Sequence, residues 1–350
     1  MSSMRSNTGV VMTVEGPLTP DSLGVTMAHE HLLIDLTCWQ EAPITERQKS
    51  WAKKPLSMDM LGEVRRNPNV FEDNLVMADI HVAAAELAEY EASGGRTVVD
   101  VTNTGLGQNP IAIREIGRRA NVQIILGCGY YVKASHPPEV ASSTVDSLTE
   151  HLLTSIRHGL GDTGLLPGVI GEIGTGEPVH PDEWKVLDAA CAAQLQSGLP
   201  LSVHVHPVSG RTAPAVVERV LRNGVPPSKT IICHMDGNMD IDYQVQVAET
   251  GVYIAYDCFG LEVYFDGMGG YRCHDSERER GLLALLARGY ANQILLSQDV
   301  CMKAQLLKYG GYGYDHVLRH IVPSLTRLGV DSDTLNRLLV HNPARAFTIG

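Results

Sequence analysis

The feature that most limits what this chain can fold into is a rhythm. Along 350 residues, short apolar segments recur eight times, most of them separated by a stretch with helical periodicity. They are VTMAHEHLLI (25–34), RTVVDVTNTG (96–105), VQIILGCGYY (122–131), PGVIGEIGTG (167–176), LPLSVHVHP (199–207), TIICHMD (230–236), GVYIAYDCFG (251–260) and NQILLSQDV (292–300). Each run is nearly continuous in apolar character, which is how parallel strands buried on both faces read. Helical patterns such as IAIREIGRRA and DEWKVLDAACAAQLQSG fall between them, and Gly198 at the end of the second reads as a helix C-cap. Eight alternating units in a chain of this length predict one closed (β/α)₈ barrel over residues 25–350. The segment GVVMTVEGPLTP reads as a small hairpin on the barrel floor, so residues 1–24 form an N-terminal extension. A doubly wound open sheet is the competing fold. It calls for a Gly-rich phosphate loop after the first strand, where this chain has AHEHLL.

Several function classes are excluded by composition and charge. A formal net charge of −12, with no basic run, argues against nucleic acid, because phosphate binding wants clustered Lys and Arg. The longest apolar runs are far shorter than a membrane span, and MSSMRSNTGVVMTVEGP lacks the apolar stretch of a signal peptide. Seven cysteines with no C-x-x-C pair suggest reduced thiols in a cytosol. A small-molecule substrate is the partner left to consider.

The barrel gives the polar residues of the strands a meaning. Alternate residues of a strand share a face, so His29 and His31 point one way and Glu30 the other. Near a strand's C-terminal end that shared face is the active rim. Strand four carries Glu172, strand five His204 and His206, strand six ends in His234, and strand eight ends in Asp299. Taken singly, a buried His is more often a hydrogen-bonded core residue, and a strand-end Asp often caps the next helix. Taken together, five strands would have to bury histidines and carboxylates at one level by accident, at several kcal/mol per unpaired charge. A divalent metal centre removes that cost.

These residues resemble the amidohydrolase superfamily and, within it, the phosphotriesterase family. The HEH of strand one, the His of strands five and six and the Asp of strand eight carry the resemblance. MTVEGPLTPDSLGVTMAHEHL, GCGYYV, GVIGEIGTGEP, KYGGYGYDHVL and HNPARAF narrow it to the phosphotriesterase-related branch. The resemblance implies that His29, His31 and Asp299 hold the more buried of two divalent ions, and His204 and His234 the more exposed one. Where better-known members bridge the ions with a carboxylated lysine, this chain has Glu172, so a glutamate bridge is expected. Tyr131 corresponds to an aromatic that lines the site, and His206 has no counterpart among the ligands. An arginine that follows strand seven in the lactonase branch is absent; Cys258 and Phe259 follow Asp257 instead. Zinc is the default metal for His and carboxylate ligands, with manganese, cobalt or nickel as alternatives. Two such ions would turn a shared water into a bridging hydroxide near neutral pH. Asp299 would take up the proton and pass it to the leaving group. A homodimer is expected.

The bond cleaved is set by loops at the top of the barrel. Two of these are long, TCWQEAPITERQKSWAKKPLSMDM after strand one and LEVYFDGMGGYRCHDSERER after strand seven, and Gly267, Gly269 and Gly270 could hinge a lid. Basic residues follow several strand ends: Lys133, Arg211, Lys303 and, in the strand-seven loop, Arg272. They suggest an anionic substrate held by charge-assisted hydrogen bonds. The expected activity is hydrolysis of a small anionic ester or lactone. An amidase or N-acyl hydrolase is the alternative, with phosphotriester hydrolysis at most a side activity. A non-catalytic ligand-binding relative would show lost ligands, and every ligand position is filled.

Overall fold

The computed structural model describes residues 9–207, 210–266, 270–271 and 273–349. Among them, eight parallel strands lie side by side in chain order. They are β1 (Thr26–Glu30), β2 (Thr97–Asp100), β3 (Gln123–Cys128), β4 (Val169–Gly174), β5 (Leu201–His204), β6 (Thr230–Ile232), β7 (Tyr253–Tyr256) and β8 (Ile294–Leu296). The helices between them are α1 (Ile80–Ala92), α2 (Pro110–Ala120), α3 (Val145–His158), α4 (Pro181–Ser197), α5 (Ala213–Arg222), α6 (Ile241–Ala248) and α7 (Asp275–Ala287). After β8 comes α8 (Val322–Arg327), which continues a π-helical turn over Val317–Ile321. This is the (β/α)₈ barrel that the eight-fold rhythm predicts. Gly198 ends α4 in a left-handed conformation, φ 71°, as its position implies.

The barrel interior is packed, not hollow. Ala28, Val99, Val101, Ile125, Val169 and Leu295 share one buried cluster with Val11 and Phe347. Val11 belongs to the N-terminal hairpin (Val11–Thr13 with Gly16–Leu18), whose continuation bonds Val14 N–H to Ile124 O at 2.9 Å. The hairpin therefore plugs the floor, opposite the ends that carry the polar residues.

Closure of β8 onto β1 uses side chains as well as backbone. Asp299 N–H donates to His29 O at 3.3 Å, and His29 N–H donates to Ser297 Oγ at 3.0 Å. Glu30, buried and turned away from its two histidine neighbours, accepts from Ser297 Oγ–H, Gln298 N–H, the Gln298 amide and Val300 N–H at 2.7–2.9 Å. One carboxylate thus stitches the first strand to the last.

The β1 loop is not bare. It carries two six-residue helices, Glu46–Trp51 and Leu61–Arg66, and a satellite core that includes Leu56, Met60, Val64 and Phe71. The loop after β7 holds a short antiparallel pair, Tyr264–Phe265 with Gly270–Tyr271. Arg66 forks onto Asp266 at 2.5 and 3.0 Å, joining the two loops above the barrel. Of the proposed hinge glycines, Gly267 and Gly269 lie outside the described residues. No helix among the described residues is long and apolar enough to cross a membrane.

Candidate metal centre

His29 sits on β1 and His31 one residue past its end; His204 ends β5, and Glu172 lies inside β4. His234 and Asp299 follow β6 and β8 in the first turns after the strands. Both adopt left-handed backbone, φ 58° and 49°, which is uncommon and strained for residues with a side chain. The third non-glycine case, Asn121, is a helix C-cap. Bending the chain there turns both side chains inward. Gly171, φ 139°, is required before Glu172 because a Cβ would stand 2.3 Å from Ser202 O.

These six side chains converge, and all are buried. Glu172 is central: Oε1 lies 3.3 Å from His31 Nε2, while Oε2 lies 3.7 Å from His29 Nε2, 3.1 Å from His204 Nδ1 and 3.6 Å from His234 Nε2. Asp299 Oδ1 lies 3.6 Å from His29 Nε2 and 3.5 Å from His31 Nε2. Two groups able to hold an ion, His29–His31–Glu172 and Glu172–His204–His234, share the Glu172 carboxylate, and Asp299 groups with His29 and His234. Both ring nitrogens of His29 are buried without a hydrogen-bond partner, which is costly unless a cation takes one of them. The donor set therefore fits divalent ions. Burial works against charge at Glu172, yet the His29 charge and the bonds from His204, His234 and His31 hold its carboxyl well below the usual range. Burial likewise lowers His31, but Asp299 and Glu172 carry it up to about 10. Burial, with the nearby His234 charge, brings His204 down to about 4. Buried carboxylates of this kind want positive charge between them.

Partners fix the ligand rings. His31 Nδ1 is 2.8 Å from Thr102 Oγ1. Asp257 accepts both the His234 N–H at 2.9 Å and its Nδ1 contact at 3.0 Å. Asp257 follows an apolar strand just as Asp299 does, a signal in the sequence that marks it as a site residue.

A pocket opens above the cluster. The β1 loop contributes Leu36, Trp39 and Asn69 to its wall, and the β7 loop Leu261 and Phe265. Tyr131 and His206 line it too, both beyond the ends of their strands. Sequence reasoning had no signal for Trp39 or Asn69, because loop residues carry no period. The basic residues are placed differently from the expectation. Lys133 Nζ pairs with Asp182 at 2.9 Å, Lys303 Nζ with Asp73 at 2.6 Å, and Arg211 with Asp240 at 3.0 Å. None of the three lines the cavity, since an acidic chain offers each cation a nearer acid. Arg272 lies outside the described residues.

A sequence model of the phosphotriesterase family matches residues 9–347. The N-acetyltaurine hydrolase of Danio rerio is 36% identical over 353 residues, covering 99% of both chains. A resiniferatoxin-binding protein from Rhodobacter sphaeroides superposes with a TM-score of 0.95 at 36% identity, over 98% of this chain and 96% of that one. A mutant PTE-like lactonase from Deinococcus radiodurans superposes at 0.75 with 28% identity, over 96% and 99%. Barrel, rim and near-complete sequence match agree: the chain belongs to the phosphotriesterase family and is one of its metal-dependent hydrolases.

Proposed function

We propose that this enzyme is a binuclear hydrolase that cleaves the amide bond of a small N-acylated amino compound with an anionic end, N-acetyltaurine being the test case. The observation that carries the binuclear reading is the pair of ion-holding groups sharing Glu172. The full-length likeness to the Danio rerio N-acetyltaurine hydrolase favours an amide over the ester or lactone that the residues alone had put first. In this reading His29, His31 and Asp299 would hold one ion, His204 and His234 would hold the other, and Glu172 would serve both. When bound, the ions, taken as zinc, supply Lewis acidity to the scissile carbonyl and acidify water.

The chain's own residues do the rest. Asp299, whose carboxyl burial would raise but His31, His234 and His29 hold below its usual range, accepts a proton from the attacking water. It returns the proton to the leaving nitrogen, which must be protonated to depart. The apolar wall of Leu36, Leu261 and Phe265 excludes bulk water. The anionic end meets His206 and Asn69, polar members of the wall outside the ligand cluster. A homodimer in the cytosol completes the proposal.

The test is a screen of zinc-loaded protein against N-acetyltaurine, N-acetyl amino acids, lactones and a phosphotriester. The highest kcat/KM on an N-acyl amide supports the reading. A lactone turned over far better than any amide would replace it.

A further inference from the structure

We propose that Trp39 is a positioning residue that orients the Tyr131 hydroxyl, so that Tyr131 donates its proton into the cavity to the oxygen of the scissile carbonyl. The inference rests on the assignment of His204 as a metal ligand through Nδ1, the nitrogen turned toward Glu172 at 3.1 Å.

Trp39 is delivered by the β1 loop. The 3-10 turn Thr37–Trp39 is held by Asp35, whose Oδ1 accepts the Thr37 N–H at 3.0 Å and the Thr37 hydroxyl at 2.6 Å. From that turn the indole Nε1–H donates to Tyr131 OH at 3.3 Å. The rings of Trp39 and Tyr131 meet edge to face with centroids 6.5 Å apart. Tyr131 also lies against His204, whose Nε2 stands 3.5 Å from the same hydroxyl oxygen.

The hydrogen count then decides the direction of the phenol proton. A His that ligates through Nδ1 carries its proton on Nε2. The Tyr131 oxygen therefore faces two N–H donors, one from Trp39 and one from His204, and both want its lone pairs. Its own proton is left to point elsewhere. Tyr131 lines the cavity above the metal centre, so the remaining direction is toward the substrate. A carbonyl oxygen gaining negative charge during attack is the acceptor that such a donor stabilises. Remove the indole donor and the hydroxyl is free to turn, spending part of its time donating back into the wall.

The experiment uses Trp39→Phe, which keeps an aromatic wall and loses only the N–H. On whichever substrate the screen identifies, kcat should fall roughly 3- to 10-fold, the size of one neutral hydrogen bond, with KM little changed. In a Tyr131→Phe background the same change should leave kcat as it stands in Tyr131→Phe alone, because there is no hydroxyl to orient. No loss of kcat, or an equal loss in both backgrounds, overturns the proposal. A second readout is independent of turnover. The chain has three tryptophans, so the indole N–H signal that vanishes from the NMR spectrum in Trp39→Phe is identifiable. It should move upfield in zinc-loaded Tyr131→Phe. An unmoved signal overturns the hydrogen bond whatever the substrate, while a moved signal without amide turnover would fault the substrate reading and leave this one standing.

Discussion

Asp257 does more for the centre than its absence from the ligand set suggests. It holds His234 by backbone and ring at once, and its Oδ2 lies 3.5 Å from His29 Nδ1. Asp257→Ala should weaken metal affinity or activity by roughly 10- to 100-fold, the usual cost of losing the group that orients a ligand. Zinc titration of the variant measures it, and wild-type affinity would refute the role. Asp299→Asn keeps shape and most of the proposed ligand shell but removes the proposed proton carrier. Turnover should fall by ~10²–10⁴-fold while metal content, by mass spectrometry of the dialysed protein, stays near that of the wild type. Glu172→Ala should lose metal and activity together; a variant retaining both would dismiss the bridge. Residue chemistry of this kind was legible where a strand frames it. His29, His31, Glu172 and His234 stand out because polar side chains in apolar runs need a partner. Trp39 was invisible because a loop aromatic looks alike whether it faces solvent or a cavity.

Elements were legible in proportion to how completely they are buried. All eight barrel strands coincide with the apolar runs, since both faces of a parallel strand are covered. The strands are shorter than the runs because the chain turns out of the sheet to present ligands: β5 ends at His204 and β8 at Leu296. The β1 loop gave no such signal, its helices being only six residues long. The seam between β8 and β1 was equally hidden, since Glu30 finds its four donors more than 260 residues away. Glu30→Gln places an NH₂ group where a donor already points. Stability of the zinc-loaded protein in urea should drop by about 1–3 kcal/mol. An unchanged midpoint would mean the stitch contributes nothing to closure.

At the scale of the molecule, the proposed metal centre should be a load on the fold when its cations are removed and a brace when they are restored. Buried Glu172, Asp257 and Asp299 face one another across the barrel mouth with only imidazoles between them. Each ion present at about 1,000 times its dissociation constant adds about 4 kcal/mol of stability. For a chain of 350 residues that corresponds to a shift in Tm of roughly 5 °C. Chelation followed by scanning fluorimetry should lower Tm by that order and zinc should restore it; no shift would separate the cluster from metal binding. By itself the sequence determined the barrel, its floor plug and the residue types at its rim, because burial on both faces and the period of a strand are local properties of the chain. Only the tertiary structure decided which side chains line the cavity and which cations are already paired. Those choices join residues from different loops, and proximity between loops is a property of the closed barrel that no local pattern encodes.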